Sequence, residues 1–381
     1  KKLKDKLFLV WIEKSQDVHS LKNGDTFIRT GSHNTKIGSQ EITRLKYEKG
    51  SIKSETEVTI IDSLDQLDID LINKYKKDNK SSNEDTWQFL KDSGLALELN
   101  NKHLLTKGGA LIFAKNPSVL LSGKYGVRVS HYYGTKPNYS GEPNFVKRPF
   151  TIEGPLIIQI QKSVEYFREV VATSNPKLSG STFKPSVIIP EQVFQEAIAN
   201  AVIHRNYSVQ NDIQVRFFDD RIEIESPGTY PGYITVNNIR KERFARNPLI
   251  QRTLSRFSES PNLDIGEGVD RMFATMKTHN LYEPLYFPAN QFPNSVLLYL
   301  MNLNKVGYWD TVSNYIDRKS LITNQKAREV TSIQDTLEMS RLLNTWVANG
   351  LLERKGGKTK GAYYVKPGRE LPDLFFKVSE K

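Results

Sequence analysis

Three polar side chains of different chemistry, Glu196, Asn200 and His204, recur every fourth residue in the stretch EAIANAVIHRNYS, residues 196–208. Residues four apart lie on one face of an α-helix, so these side chains would form a polar stripe. A carboxylate, an amide and an imidazole can accept, donate and transfer protons. Asn is also unfavourable in a helix interior, which makes Asn200 unusual. The alternative is a solvated helix face on which the Asn is incidental.

The helix that carries this stripe is predicted to begin at Pro190, because proline is favoured at a first helical position. Its core-facing stripe consists of Phe194, Ala197, Ile198, Ala201 and Val202. The following DIQVRFFDDRIEIESPG predicts a β-hairpin that turns at Asp219 and Asp220. Further along, Gly266-Glu267-Gly268 stands directly before another predicted helix, and PNSVLLYLMNL predicts a last strand of this unit.

The composition narrows the class of protein. A chain of 381 residues predicts several domains, and its net charge of +11 favours an acidic partner, of which nucleic acid is the usual one. The absence of cysteine from this sequence excludes disulfides, zinc fingers and thiol catalysis within it. No apolar run reaches the ~20 residues that a membrane span requires. We therefore expect a cytoplasmic location and no membrane contact.

The N-terminal third contains two predicted units. Short extended pieces come first, followed by a helix that Ser39 caps and Gly50 ends. Arg29, Lys36 and Arg44 could present charge to phosphate; an ordinary surface loop is the alternative. Residues 66–118 then predict helix, turn, helix, a hairpin at Asn100-Asn101 and a helix from Thr106 that Pro117 ends. That order is typical of a small winged-helix-like unit.

The middle of the chain mixes strands with one long helix. GVRVSHYYG predicts a strand, a Pro/Gly-rich loop is predicted from there to Phe150, and PLIIQIQKSVEYFREVV predicts an amphipathic helix. The strand and hairpin patterns around the candidate stripe belong to the same region.

The C-terminal segment has the pattern of a winged helix, with helix, turn, helix and hairpin in order. Thr323 caps its first helix and Gly350 ends its second. Arg341 is the cation of the second helix that could contact base edges, and the hairpin tip carries basic side chains suited to phosphate, namely Arg354, Lys355, Lys358 and Lys360. Winged helices also serve as dimer or protein contacts. The GGKT in this hairpin does not complete a Walker A motif.

Taken in order, EAIANAVIHRNYS, FFDDRIEIESPG, ARNPLIQRTL and GEGVDRM resemble a family of bacterial and archaeal regulators. Their central domain is a GHKL-like ATP-binding module, often labelled RecG C-terminal-like. A Schlafen AlbA-type DNA-binding domain precedes it and a winged helix follows it. The resemblance implies an α+β, multi-domain fold: a GHKL-like α/β sandwich with a C-terminal winged helix. The implied domains are a partial AlbA-type domain at 1–62, the small unit at 66–118, the GHKL-like domain at 119–303 and the winged helix at 304–368.

The resemblance also implies roles for the stripe. Glu196 would deprotonate the attacking water, and the amide of Asn200 would hold Mg²⁺ beside the phosphates of ATP. His204 and Arg205 would end the stripe near the phosphates. Gly266 and Gly268 would form the phosphate loop, although a lone Gly-x-Gly is often only a turn.

The chain departs from the GHKL pattern at the adenine site. Where that pattern has an aspartate, this sequence has Ser226-Pro227-Gly228 and no carboxylate. Ser226 and Gly228 would then contact the base, with a hydroxyl as a weaker acceptor than a carboxylate. Arg246 and Asn247 either contact the ligand or cap the next element.

We therefore expect a nucleotide-responsive, DNA-binding transcriptional regulator that binds ATP and Mg²⁺ and that forms a homodimer. One alternative is a weak ATPase in nucleic-acid processing or defence, with Glu196 as base. Another is a non-catalytic scaffold with a degenerate nucleotide pocket.

Overall fold

The N-terminal part folds as a hairpin followed by a helix. The fold was obtained as a computed structural model, which describes residues 15, 17–30, 33–174, 188–261, 266–287, 291–357 and 361–368. Strands β1 (Thr26–Thr30) and β2 (His33–Ile37) pair antiparallel, and α1 (Ser39–Lys49) follows. Gly38, not the predicted Ser39, is the N-cap of α1, and Gly50 ends α1 in the left-handed region with φ 77°.

The unit predicted at residues 66–118 has the expected order of elements. It contains α2 (Ile69–Asp78), α3 (Thr86–Asp92), β3 (Ala96–Leu99), β4 (Lys102–Leu105), α4 (Lys107–Phe113) and the short α5 (Pro117–Leu120). Asn100 and Asn101 form the hairpin turn with φ values of 52° and 60°, a conformation that Asn tolerates. Pro117 begins α5, whereas the sequence predicted that it ends the preceding helix.

A six-stranded mixed sheet forms the centre of the molecule. Its strands are β5 (Val127–Tyr132), β6 (Phe145–Ile152), β7 (Ile213–Phe217), β8 (Arg221–Pro227), β9 (Leu285–Tyr286) and β10 (Ser295–Met301). The order is β6-β5-β7-β8-β10-β9, with β5 and β7 parallel and the other neighbours antiparallel. β6 occupies the end of the predicted Pro/Gly-rich loop, and β9 was not predicted.

Helices cover one face of this sheet. They include α6 (Leu156–Ser174) and α7 (Glu191–Ile203), which pack side by side, and Phe167 stacks on Phe194 with 4.6 Å between ring centroids. Phe194 in turn contacts Phe217 of β7, which alternation predicted to face the core. α8 (Pro248–Ser255) and α9 (Gly268–Thr278) complete this region. The mixed architecture agrees with the predicted α+β class.

The last described residues form a separate small cluster. It contains α10 (Trp309–Lys319), α11 (Asn324–Thr331), α12 (Thr336–Ala348) and the hairpin of β11 (Glu353–Lys355) and β12 (Tyr363–Val365). The Thr323 hydroxyl accepts from the Lys326 amide at 3.2 Å, as the predicted cap requires. Trp309, Leu343 and Trp346 are buried in this cluster. The main hydrophobic cluster, by contrast, draws its described members from between Ile61 and Leu300, on both sides of the predicted boundary at residues 118 and 119.

None of the helices among the described residues combines the length and the apolar character needed to cross a membrane.

Candidate functional site

A cavity of about 470 Å³ opens between α7, the ends of β8 and β10, the start of α9 and residues 228–246. We call residues 228–246 the covering segment. Most of the cavity wall is apolar, and its polar groups are concentrated on α7, at the end of β8 and beside α9. The sequence-predicted residues that line it are Asn200, His204, Ser226, Gly266 and Gly268, and further lining side chains include Tyr230, Ile234, Arg243, Phe244, Arg246 and Leu298.

Glu196 and Asn200 are in direct contact, as their spacing predicted. The Asn200 Nδ2 donates to Glu196 Oε1 at 3.2 Å. The other carboxylate oxygen, Oε2, accepts from Arg271 Nη2 at 3.1 Å. Glu196 does not line the large cavity; with Arg271 it lines a neighbouring one of about 220 Å³. Its carboxylate is therefore held between the stripe and α9.

Gly268, the first residue of α9, makes this arrangement possible. A Cβ atom built on Gly268 would lie 1.7 Å from Glu196 Oε1, so a larger side chain could not fit there without moving the carboxylate. Gly266 has φ 70°, and a Cβ there would lie 2.6 Å from Nε of Arg243. The Gly-x-Gly is thus required for close approach of Glu196 and Arg243 to the start of α9.

The carbonyl end of α7 is bonded by side chains from other segments. The hydroxyls of Ser226 and Tyr207 donate to the carbonyls of residues 201 and 202, each at 2.8 Å. Nδ2 of Asn247 donates to the carbonyls of residues 203 and 205, each at 2.8 Å. Nη1 of Arg246 donates to the carbonyl of residue 204 at 3.1 Å. The side chains of Arg246 and Asn247 therefore bond the end of the preceding helix α7, while Asn247 also occupies the N-cap position of the next helix, α8, without a side-chain bond to it.

The imidazole ring of His204 makes no side-chain hydrogen bond to the described residues. Its Nδ1 atom is buried without a partner. Burial, together with the nearby charge of Arg246, lowers the pKa of His204 from 6.5 to about 4. The imidazole is therefore neutral at physiological pH, with one N–H donor and one acceptor nitrogen.

Arg205 lies elsewhere than the sequence predicted. Its side chain is buried, and Nη2 donates to the carbonyls of Lys124, Val209 and Asn211. The guanidinium lies over the rings of Tyr125 and Tyr207, 5.2 and 5.1 Å from their centroids. Arg205 lines neither cavity. Its cation joins the loop after α7 to the residues just before β5, and its side chain is therefore directed away from both cavities.

Gly228 also occupies a position where a side chain would not fit. Its φ is 98°, and a Cβ atom would lie 2.3 Å from Cβ of Asn206 and 2.8 Å from Nη1 of Arg246. Gly228 lets the covering segment begin against the end of α7, but it is not among the residues that line the cavity.

Several arginines near the start of α9 were not predicted as site residues. Asp270 pairs with Arg240 at 3.0 Å and with Arg243 at 3.6 Å, while Arg271 contacts Glu196. Two signals in the sequence could have identified them: the basic run RKERFAR, and an arginine three residues after Gly268. Glu267, between the two glycines, has a side chain that is 62% exposed.

The covering segment also contacts the N-terminal helix α1. Nη2 of Arg246 donates to the carbonyl oxygen of Glu48 at 3.0 Å. A Cβ on Gly50, the residue that ends α1, would lie 2.9 Å from the ring of Phe244. Since Phe244 and Arg246 both line the cavity, the same two side chains contact the cavity and α1.

The predicted nucleic-acid-binding residues lie in two parts of the chain. In the register of β1 and β2, Arg29 lies opposite Asn34 and Lys36 lies opposite Phe27, and Lys36 pairs with Asp25 at 2.6 Å. Arg341 is exposed on α12 and Arg354 is exposed on β11. Lys358 and Lys360 lie outside the described residues.

The described part of the chain contains no group of three or more His, Cys, Asp or Glu side chains able to hold a metal ion.

Comparison with known protein families finds a match for one part of the chain. Residues 210–296 match the family model described as "Putative ATP-dependent DNA helicase recG C-terminal". The crystal structure of the DIP2311 protein from Corynebacterium diphtheriae is similar in fold, with a TM-score of 0.50, 18% identity, and coverage of 90% of this chain and 70% of that chain. No curated protein matches the sequence. The region from β7 to β10, which forms much of the cavity wall, is therefore similar to an ATP-dependent domain of the RecG C-terminal type.

Proposed function

We propose that this protein is a nucleotide-responsive, DNA-binding transcriptional regulator whose GHKL-like domain binds ATP and Mg²⁺ in the large cavity. One observation carries the proposal: Phe244 and Arg246 line the cavity and also contact α1. A ligand that displaces these side chains would change how α1 is held. Such a response requires the ligand to bind the two arrangements with different affinity.

The start of α9 is suited to the phosphates. A helix N-terminus carries a partial positive charge and unpaired N–H groups, and Gly266 and Gly268 allow the backbone to approach an anion. Arg243, which lines the large cavity, adds a cation beside Gly266, and Arg271 of the neighbouring cavity adds another in the first turn of α9. These features support a binding site for the phosphate groups of a nucleotide.

Asn200 is oriented to contribute an oxygen ligand. Its Nδ2 donates to the Glu196 carboxylate, which leaves the amide oxygen, Oδ1, available to a cation. Mg²⁺ prefers oxygen ligands, keeps several waters and binds readily to phosphates, so one protein oxygen fits its requirements. The residues present therefore fit Mg²⁺ held jointly by Asn200 and a nucleotide.

DNA contacts are proposed for both ends of the chain. The AlbA-type remnant would use Arg29 and Lys36, and a C-terminal winged helix would use Arg341, Arg354, Lys358 and Lys360. The order α10, α11, α12, β11, β12 supports the winged-helix assignment. A homodimer in the cytoplasm is part of the same proposal.

Calorimetric titration of the purified chain with ATP and Mg²⁺ tests the nucleotide site. We expect saturable binding that Asn200→Ala abolishes and that Gln192→Ala, an exposed change on the same helix, leaves intact. Fluorescence anisotropy with labelled duplex DNA should then show a different affinity with and without ATP. Absence of heat at ~1 mM ATP would place the binding free energy below about 4 kcal/mol and would reject the proposal.

A weak ATPase is the second candidate, because the carboxylate of Glu196 lies in direct contact with Asn200, the proposed metal ligand. Arg271 holds the other carboxylate oxygen, so Glu196 would act as a base only after phosphates drew Arg271 away. Phosphate release by the wild type, lost in Glu196→Gln while ATP binding persists, would support this function. A wild type without turnover would reject it and leave binding alone, and no nucleotide effect on melting would favour a scaffold.

A further inference from the structure

Helix α9 has one end at the large cavity. Gly268 and Val269, its first two residues, line the cavity together with Gly266. In the same turn Arg271 binds Glu196 of α7 at 3.1 Å, and α9 packs against α7. A molecule that fills the cavity would therefore contact the first turn of α9 directly.

The other end of α9 is bonded to the residues that follow β10. The chain leaves α9 through Asn280, whose φ of 54° is the left-handed conformation in which many helices end. The carbonyl of Asn280 accepts from the amide of Lys305 at 2.8 Å, and Leu281 pairs with Asn304 in an antiparallel bridge. The backbone after α9 is thus held by the segment that leads from the central sheet to α10.

Tyr282 belongs to the core of the C-terminal unit, by which we mean α10, α11, α12, β11 and β12. Its side chain is fully buried in the hydrophobic cluster of that unit. The ring meets the Trp309 ring edge-on with 5.3 Å between centroids, and the hydroxyl accepts from the amide of Val306 at 3.1 Å. Because α9 ends at Thr278, the C-terminal unit packs on residues that directly continue α9.

A group of ion pairs secures the same junction. Nζ of Lys305 lies 3.0 Å from Oε1 of Glu283 and 2.7 Å from Oδ1 of Asp310, and the Lys305 side chain is only 6% exposed. Glu283 also accepts from Nε1 of Trp309 at 3.2 Å. A charge with so little exposure needs its partners, because removing them leaves it desolvated and unpaired. Apolar packing, backbone bonds and charge therefore fix the junction together.

The distance between the two ends is short enough for α9 to move as one body. Its 11 residues span about 16 Å at a rise of 1.5 Å per residue. Close-packed interiors transmit small shifts instead of absorbing them, and helix shifts of this kind are a common form of switching. A shift of the first turn of α9 would then change how Tyr282 and Glu283 meet Trp309.

We propose that α9 transmits the presence of a nucleotide in the cavity to the C-terminal unit, through the junction at Tyr282, Glu283 and Lys305. The inference rests on the proposed function, because it needs a nucleotide in the cavity. It adds a response of the C-terminal unit to the response proposed for α1. By linkage, DNA bound to the C-terminal unit would change the affinity for the nucleotide by the factor through which the nucleotide changes DNA affinity.

Hydrogen exchange of the full chain, with and without ATP and Mg²⁺, measures this response at α10. The described residues that line the cavity include none from α10, so a change there must arrive through the protein. We expect saturating ATP to change the exchange rates of α10 amides by about threefold or more. Calorimetry on the same sample establishes that ATP is bound.

Lys305→Met removes the charge at the junction and keeps most of the side-chain volume. We expect it to reduce the ATP-dependent change at α10 by about half or more and to leave the Kd for ATP within about threefold. Lys326→Met is the matched control, because Lys326 pairs at 2.8 Å with Glu329 inside α11, away from the junction. It should respond to ATP as the wild type does. Glu283→Gln keeps an acceptor for Trp309 and replaces Lys305→Met if circular dichroism shows that variant to be unfolded.

The outcomes distinguish this inference from the proposed function. If ATP binds and exchange at α10 does not change, or if the folded junction variant responds as fully as Lys326→Met, α9 does not transmit the signal and the nucleotide site stands. If ATP does not bind, both proposals are overturned.

Discussion

The side-chain amide of Asn247 is buried and donates to two carbonyl groups at the end of α7. Asn247→Ala would leave both carbonyls without their partner. Because an unpaired buried group costs about 1–3 kcal/mol, we expect the free energy of unfolding to fall by about 2 kcal/mol or more. Urea unfolding followed by circular dichroism measures it. Asn314→Ala, at an exposed position of α10, is the control, and equal stability of the two variants would contradict this account.

His204 predicts a pH dependence. Its pKa in the folded protein is about 4, below the ordinary 6.5, so the folded state binds a proton less readily than the unfolded state. The contribution of the neutral ring is complete above about pH 6.5 and is lost as the pH falls towards 4. From pH 7.5 to pH 5 the wild type should lose about 2 kcal/mol more stability than His204→Gln. Parallel losses in urea unfolding at the two pH values would exclude this effect.

Local and distant interactions explain which site residues could be predicted. The Glu196–Asn200 contact follows from helix periodicity alone, and the sequence was sufficient for it. Arg205 could not be placed in this way, because its partners are carbonyls that only the folded chain brings near. The same applies to Arg271, whose contact with Glu196 joins residues 75 positions apart in the chain. Burial and long-range pairing, not residue type, decided these positions.

The contact between α1 and the covering segment leads to a testable prediction about how α1 is held. Gly50 and Gly24 both have positive φ, 77° and 86°, but only Gly50 lies against another side chain, that of Phe244. Alanine at either position meets the same backbone strain, about 1 kcal/mol. Gly50→Ala meets the Phe244 ring in addition, at about 1 kcal/mol or more.

Hydrogen exchange of the α1 amides measures this difference. We expect faster exchange in Gly50→Ala than in Gly24→Ala, because the contact that holds α1 is disturbed in the first variant only. Under the proposed function, Gly50→Ala should also reduce the effect of ATP on DNA affinity. Equal exchange in the two variants would show that Phe244 does not hold α1.

Helices and turns were predicted from the sequence where the residues that define them lie close together in the chain. Thr106 and Thr323 cap α4 and α11 through their own hydroxyls, and Asn100-Asn101 forms the predicted hairpin turn. β9 has only two residues and exists because Leu298 and Tyr299 of β10 offer it a pairing edge. β6 follows a segment rich in Pro and Gly, and its pairing with β5 includes register shifts that no periodic pattern announces. Both strands depend on a partner strand rather than on their own sequence.

For the whole molecule, the net charge of +11 and the proposed DNA contacts predict a strong salt dependence. If the six predicted cations each contact a phosphate, raising the salt concentration from 50 to 200 mM should weaken DNA binding about 10³-fold. Anisotropy titrations at four salt concentrations give the slope. Arg354→Ala should lower the magnitude of the slope by about one, whereas an affinity independent of salt would argue against phosphate contacts.

The bonds that complete the end of α7 also bear on the order of events during synthesis. Ser226, Arg246 and Asn247 follow the carbonyls that they bind by between 25 and 44 residues. A ribosome releases the N-terminal part of a chain first, so α7 leaves it before most of its capping groups have been made. Until residue 247 emerges, the last turn of α7 must bind water instead. A nascent chain stopped before that residue would carry α7 with a last turn that lacks these capping bonds and is therefore free to fray.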